Sequence, residues 1–172
     1  ATLPLRLMRV FSPDAESTRT IARLLRDGEV VALPTETVYG LAANALDPQA
    51  IQKIYAIKGR PPQNPLIVHI SDPASLARWV IPNDAANRLI RQFWPGSLTL
   101  VLPKQPVIPD IVTAGLPSVG IRMPNHPAMQ AVLGAFDGPL AAPSANPSNY
   151  LSPTRVEHVT HRLAGRLNYV LD

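Results

Sequence analysis

The sequence predicts an α/β fold, a single domain in which helices flank a twisted mixed sheet. Short apolar runs alternate along the chain with segments of helical periodicity, which is typical of this class. The length of 172 residues suits one domain with a substantial core. Its 20 prolines are scattered as turn signals and no internal repeat divides the chain, so we expect one domain over residues 1–172.

Capping residues predict where the helices begin. Ser12, followed by Pro13, is the expected N-cap of a first helix that ends at Gly28. Asp47 before Pro48 predicts a second helix in the same way. Further helices are expected to begin at Asp72, near Asn83, near Pro127 and at Ser152.

Apolar runs between these helices predict the strands. They lie at residues 30–33, 66–70, 98–102, 119–123, 140–142 and 169–171. Helices separate many of these runs, as in parallel βαβ units, but some strand pairs can be antiparallel. We therefore expect a mixed sheet.

Composition excludes several classes of site. The chain has no cysteine, so disulfides, thiolate metal sites and cysteine nucleophiles are excluded, and a cytoplasmic location is the expectation. No apolar run approaches the ~20 residues that a membrane-spanning helix needs, so we predict no membrane contact. The net charge of +4 suits an anionic ligand such as a nucleotide or RNA but identifies neither.

The common nucleotide and hydrolase motifs are absent from the sequence. It contains no G-x-x-x-x-G-K-[ST], G-x-G-x-x-G, H-E-x-x-H or G-x-S-x-G pattern. Any nucleotide must therefore bind to another kind of cradle. We assign no metal ligand among the protein side chains.

Polar groups interrupt the apolar pattern between residues 33 and 70. Thr35 follows a strand that breaks at Pro34, and His69 lies within the next strand. Lys58 and Arg60 flank a glycine in a proline-rich segment, which favours a rigid loop whose cations converge on an anion. The alternatives are solvent-facing loop charges and a core histidine with satisfied hydrogen bonds.

Arg122 lies inside an apolar strand and therefore needs an acidic partner or several acceptors. Asp110 and Asp137 are candidate structural partners, and a ligand carboxylate is the functional one. Sequence alone leaves this choice open.

A second polar segment, AAPSANPSNYLS, covers residues 141–152. Its small residues allow a ligand to approach the backbone closely, and Ser144, Asn146, Ser148 and Ser152 offer hydroxyl and amide groups. The alternative is an ordinary turn in which Ser152 caps the following helix, although a cap serine can also bind phosphate.

These segments, in this order, resemble the YrdC-type threonylcarbamoyl-AMP synthase family. The resemblance covers residues from about 10 to 172 and rests on PTETVYGL, KGRPPQNPLIVHI, FWPGSLTLVL, VGIRMPNHP and APSANPS followed by SPT. It implies a YrdC-like fold and a nucleotidyltransferase that joins L-threonine, bicarbonate and ATP into threonylcarbamoyl-AMP and pyrophosphate. A separate transferase would then use the product to modify tRNA, and a direct tRNA contact is compatible with this role.

The resemblance also implies roles for individual residues. Lys58 and Arg60 would be catalytic, and Mg²⁺ is expected to accompany ATP. The L-threonine pocket would comprise Thr35, His69 and Arg122. The ATP site would comprise Lys58, Arg60, Ser118, Ser144, Asn146 and Ser152.

The sequence departs from the family pattern at two places, and two alternative functions remain open. We expect the chain to end before the family's final ligand-bearing segment, and residues 148–150 replace a more usual Ser-Gly pair. One alternative is a domain that forms carbamoyl-adenylate from carbamoyl phosphate. The other is a non-catalytic module that binds tRNA or double-stranded RNA, although few aromatic residues are available for base stacking.

Overall fold

The computed structural model describes residues 8–59, 63–146 and 151–172. Within these ranges, eight strands form one sheet. The strands are β1 (Arg9–Phe11), β2 (Val31–Pro34), β3 (Tyr39–Asn44), β4 (Ile67–His69), β5 (Leu100–Pro103), β6 (Ser118–Arg122), β7 (Leu140–Ala141) and β8 (Tyr169–Leu171). The helices are α1 (Ala15–Arg26), α2 (Pro48–Lys58), α3 (Asp84–Phe93), α4 (Asp110–Thr113), α5 (Pro127–Phe136), α6 (Val156–Arg162) and a 3₁₀ helix at Pro73–Arg78.

The sheet is mixed, as predicted. Its strand order is β1-β8-β2-β3-β7-β4-β6-β5. Strand β8 is parallel to both β1 and β2, and β4 is parallel to β6. The remaining neighbouring pairs are antiparallel. The α/β class is confirmed, and no helix among the described residues is long and apolar enough to cross a membrane.

Strand β3 joins the two halves of the sheet and was not predicted from the sequence. Its sequence, YGLAAN, is rich in small residues and lacks the β-branched residues that mark strands. Packing favours glycine at position 40, because a Cβ atom there would lie 3.3 Å from the Cβ of Ala142 and 3.4 Å from the carbonyl oxygen of Pro143. The short edge strand β1 was also missed.

Three helix caps agree with the predictions and two do not. Asp47, Asp72 and Asn83 each accept a hydrogen bond from a backbone N–H in the first turn of the helix that follows. Ser12 is not a cap, because α1 begins later and the side chain of Asp14 accepts the N–H of Ser17 at 2.7 Å.

Ser152 is also not a helix cap. Helix α6 begins at Val156, and its N-cap residue, Arg155, makes no capping hydrogen bond through its side chain. The reason is a tertiary contact, in which the carbonyl oxygen of Pro153 accepts the N–H of Tyr39 at 2.8 Å. The segment before α6 therefore extends alongside β3.

Two apolar clusters lie on opposite faces of the sheet. Alternate residues of β2 show the division, since Ala32 belongs to the cluster that includes Ile54 of α2, whereas Leu33 belongs to the cluster that includes α1 and α5. The cluster with α2 also takes the inward residues of β4 and β6, Val68 and Ile121. The opposite faces of β4 and β6 do not belong to this cluster.

Candidate functional site

One face of β4, β5 and β6 is open. Ile67 is in register with Gly120, which in turn is in register with Val101. Ile67 is 39% exposed and Val101 is 70% exposed, in contrast to the buried Val68 and Ile121 on the core side. Because side chains alternate between the faces of a strand, Ser118 and Arg122 lie on the same open face as Gly120.

His69 and Arg122 are neighbours at the end of this face. They are register partners in the parallel pair β4 and β6, and both are buried. Among the described residues, the Nδ1 atom of His69 and the Nε atom of Arg122 have no hydrogen-bond partner. Buried polar atoms are rarely left unpaired in folded proteins, so these two nitrogens indicate a place for a polar ligand.

His69 is neutral at physiological pH. Burial lowers the pKa of His69 from 6.5 to about 3, and the positive charge of Arg122 adds to this shift. Backbone hydrogen bonds to Ile67 and Leu140 oppose it with smaller effects. The neutral ring can therefore offer either a donor or an acceptor nitrogen to a ligand.

The acidic partner of Arg122 within the protein is Glu36, so the two structural candidates, Asp110 and Asp137, were wrong. Glu36 Oε1 accepts a hydrogen bond from Arg122 Nη2, and Glu36 Oε2 accepts the N–H of Asn125 at 2.9 Å. Asp110 instead pairs with Lys104 at 3.2 Å, and Asp137 is the C-cap of α5. Glu36 and Asn125 are site residues that were not predicted from the sequence; the signal available for Glu36 was a carboxylate directly after Thr35.

Thr35 shapes the turn that carries Glu36. Its hydroxyl donates to the carbonyl oxygen of Val38 at 2.6 Å and accepts the N–H groups of Thr37 and Val38, each at 3.2 Å. This local network links the end of β2 to the start of β3. Thr35 therefore lies beside the Arg122 site, where the sequence analysis expected a ligand residue.

Lys58 lies at the end of a helix, which corrects the prediction of a loop position. It is the last residue of α2, and Gly59 ends the helix with a left-handed φ of 61°. The buried Lys58 Nζ donates to the carbonyl oxygens of Ser144 at 2.6 Å and Asn146 at 2.8 Å, and to Asn146 Oδ1 at 3.1 Å. Arg60 lies outside the described residues, so its placement remains a prediction.

Ser144 and Asn146 form one cluster with Lys58. Ser144 Oγ donates to Asn146 Oδ1 at 2.5 Å, and the N–H of Ala145 donates to the carbonyl oxygen of Tyr39 at 2.7 Å. This second contact anchors the cluster to the start of β3, only a few residues from the turn that carries Glu36. Residues 147–150, which include Ser148, lie outside the described part of the chain.

Most of the predicted site residues that the structure describes thus fall into two clusters. Lys58, Ser144 and Asn146 are joined by hydrogen bonds. His69 and Arg122 are register partners, with Glu36 as the link to the turn of Thr35. The half-buried Ser118 begins β6 on the open face, and Ser152 is exposed before α6.

Comparison with known proteins identifies the family. The model of the Sua5/YciO/YrdC family, described as "Telomere recombination", matches residues 23–172. The chain belongs to this family. The resemblance that the motifs indicated is therefore confirmed.

Relatives in this family carry consistent names. A threonylcarbamoyl-AMP synthase of Bacillus subtilis is 53% identical over 153 residues, which are 88% of this chain and 44% of that protein. One of Pyrococcus abyssi is 46% identical over 156 residues, which are 90% of this chain and 46% of that protein. The chain thus spans about half the length of these relatives.

A solved structure supports the fold at high similarity. The crystal structure of P. abyssi Sua5 complexed with L-threonine superposes with a TM-score of 0.93 at 41% identity. The match covers 96% of this chain and 50% of that one. The predicted YrdC-like fold is confirmed by this agreement.

Proposed function

We propose that this chain joins L-threonine, bicarbonate and ATP into threonylcarbamoyl-AMP, with release of pyrophosphate. The observation that carries the proposal is the pair of buried nitrogens on His69 and Arg122 that have no partner within the described part of the chain and lie at the end of an open sheet face. A P. abyssi relative 41% identical to this chain has been crystallised with L-threonine. A separate transferase would then use the adenylate in tRNA modification.

The proposed threonine site uses charge and hydrogen bonding together. Arg122 has donors beyond the one held by Glu36, and these would bind the substrate carboxylate. The neutral His69 would bind a second polar group of threonine through Nδ1. Thr35, at the adjacent turn, would complete the pocket.

The proposed nucleotide site centres on Lys58. An ammonium group has three N–H donors, and three oxygens of Ser144 and Asn146 lie within hydrogen-bond distance of it. The longest contact, to Asn146 Oδ1, is the one that a phosphate oxygen would replace most easily, because this oxygen also accepts from Ser144 Oγ. Arg60, Ser118 and Ser152 are the remaining proposed ATP-binding residues.

The proposed chemistry requires positioning and charge neutralisation. The threonine amine and bicarbonate condense to a carbamate with loss of water. A carbamate oxygen then forms a bond to the α-phosphorus of ATP as the bond to pyrophosphate breaks, which makes the enzyme a nucleotidyltransferase. Lys58 and Arg60 would neutralise the growing negative charge on the phosphates. No covalent enzyme intermediate is needed in this scheme.

Mg²⁺ would enter this site on the phosphates of ATP. Magnesium sites in nucleotide enzymes often rely on substrate phosphates and water rather than on a protein cage. The described residues contain no group of three acidic or histidine side chains that could hold a metal ion. We propose Mg²⁺ as part of the nucleotide substrate, bound to its phosphates.

Pyrophosphate release tests the proposed function. Release should require ATP, L-threonine and bicarbonate together, and the products should include threonylcarbamoyl-AMP by mass spectrometry. Equal activity with carbamoyl phosphate in place of threonine and bicarbonate would support a carbamoyl-adenylate-forming domain. RNA binding without any pyrophosphate release would support a non-catalytic module.

Substitutions of the two cations test their proposed catalytic role. Lys58→Ala and Arg60→Ala should each lower turnover about 10- to 1000-fold, as for other fixed charges that stabilise a developing anion. Lys53→Ala is the matched control, because Lys53 lies on the same helix and donates to the carbonyl oxygen of Gly28 at 2.9 Å. Retained turnover in both test variants would contradict the role.

A further inference from the structure

Glu36 links three segments of the site but does not itself bind substrate in the proposed reaction. Its Oε1 accepts from Arg122 at the end of β6, and its Oε2 accepts the N–H of Asn125 in the following loop. Its own backbone lies in the turn that the hydroxyl of Thr35 stabilises. Both carboxylate oxygens therefore have defined partners.

The hydrogen bond from Nη2 controls the direction of the other Arg122 donors. A guanidinium group is planar and its five N–H donors have fixed relative directions. An acceptor that holds Nη2 therefore also sets the direction of Nε, which is buried without a partner among the described residues. The register partner, His69, has a nitrogen, Nδ1, that likewise finds no partner in the ranges 8–59, 63–146 and 151–172.

We propose that Glu36 is a positioning residue for the substrate carboxylate and acts through Arg122. It holds the guanidinium so that the remaining donors face the ligand, while His69 receives a second polar group. This inference rests on the proposed function, because it assigns L-threonine as the ligand.

The alternative is that Glu36 occupies the place of the substrate carboxylate and must leave before binding. Two observations favour positioning. Departure of Glu36 would also break its bond to the N–H of Asn125, and the turn that carries Glu36 is held by the hydrogen bonds of Thr35. The two models predict opposite effects, since loss of a competitor strengthens binding and loss of a positioning group weakens it.

Calorimetric titration of L-threonine and of ATP into four proteins tests the proposal. The proteins are the wild type, Glu36→Gln, Arg122→Ala and the double variant. Glu36→Gln should raise the dissociation constant for threonine about 10- to 100-fold, the range found when a partner that orients a metal-binding side chain is removed. Its ATP affinity should stay within about twofold, because Arg122 is not an ATP residue in the proposal. In the Arg122→Ala background, Glu36→Gln should add no further loss if it acts through Arg122.

Two further variants complete the design. Asp110→Asn is the matched control, because it weakens an ion pair between Lys104 and the 79% exposed side chain of Asp110. Threonine affinity should not change in this variant. Glu36→Asp keeps the charge and serves as the test if Glu36→Gln does not fold; its shorter side chain should still weaken threonine binding and leave ATP binding intact.

Several outcomes would overturn the inference. Unchanged or tighter threonine binding in Glu36→Gln, or equal losses for threonine and ATP, would show that Glu36 does not position Arg122 for the substrate. If the wild type binds no threonine and releases no pyrophosphate, the proposed function fails together with the inference. If the wild type does both and the Glu36 variants behave as the wild type, only the inference fails.

Discussion

Replacing Lys58 by methionine removes the ammonium group that joins the end of α2 to residues 144–146, while side-chain length changes little. Lys58 Nζ lies 2.6 Å from the carbonyl oxygen of Ser144, 2.8 Å from that of Asn146 and 3.1 Å from Asn146 Oδ1. A hydrogen bond from a charged group contributes about 1.5–3 kcal/mol, but these contributions are not additive and burial of the ammonium has its own cost. We expect the free energy of unfolding to fall by about 2–5 kcal/mol, because buried oxygens lose their donor.

Equilibrium urea unfolding measures this difference directly. For a domain of this size the expected loss corresponds to a decrease in melting temperature of roughly 5–15 °C. Lys53→Met is the matched control, since Lys53 is on the same helix and has an exposed side chain that donates to the carbonyl oxygen of Gly28 at 2.9 Å. The control should lose less than about 1 kcal/mol.

Equal stability of the Lys58→Met and Lys53→Met proteins would refute this reasoning. It would mean that the oxygens of Ser144 and Asn146 find other donors when the ammonium is absent. In that case the value of Lys58 would lie in ligand binding alone. A large loss of stability together with lost turnover would instead show that Lys58 both builds the site and acts in it.

Two further predictions concern the open face. Arg122→Ala should weaken threonine binding at least about tenfold and leave ATP affinity unchanged, which calorimetry checks; an equal loss of ATP affinity would contradict the assignment. The free energy of unfolding, measured in urea, should fall by no more than about 2 kcal/mol, because the side chain of Glu36 is 25% exposed and can be hydrated. Below pH 6.5 His69 is protonated in the unfolded chain but stays neutral in the folded chain, where its pKa is about 3. The free energy of unfolding should therefore decrease as the pH falls, by up to about 1.4 kcal/mol per pH unit. Urea unfolding between pH 7 and 4.5 should show a steeper loss in the wild type than in His69→Gln, and identical slopes would show that His69 titrates normally.

Local signals in the sequence were sufficient for much of the fold. Asp47 before Pro48 correctly placed the start of α2, because a cap and the helix it begins are adjacent in the chain. The apolar runs around Val68 and Ile121 likewise marked β4 and β6. The same patterns fail where tertiary contacts dominate. Gly40 of β3 lies where Ala142 and Pro143 leave little room for a side chain, and Ser152 does not begin a helix because the adjacent Pro153 pairs with Tyr39.

The sequence by itself determined the α/β class, the family resemblance and the two polar segments from which Thr35, Lys58, His69, Ser144 and Asn146 come. Only the tertiary structure decided which of these side chains meet. Arg122 and its partner Glu36 are 86 positions apart, and Lys58 reaches residues as far as 88 positions away. Local propensity acts over about one helical turn, so it carries no information about such pairs. These contacts depend on the sheet, whose strand order places β2, β3, β7, β4 and β6 in succession, and on the backbone hydrogen bonds that hold residues 144–146 beside β3.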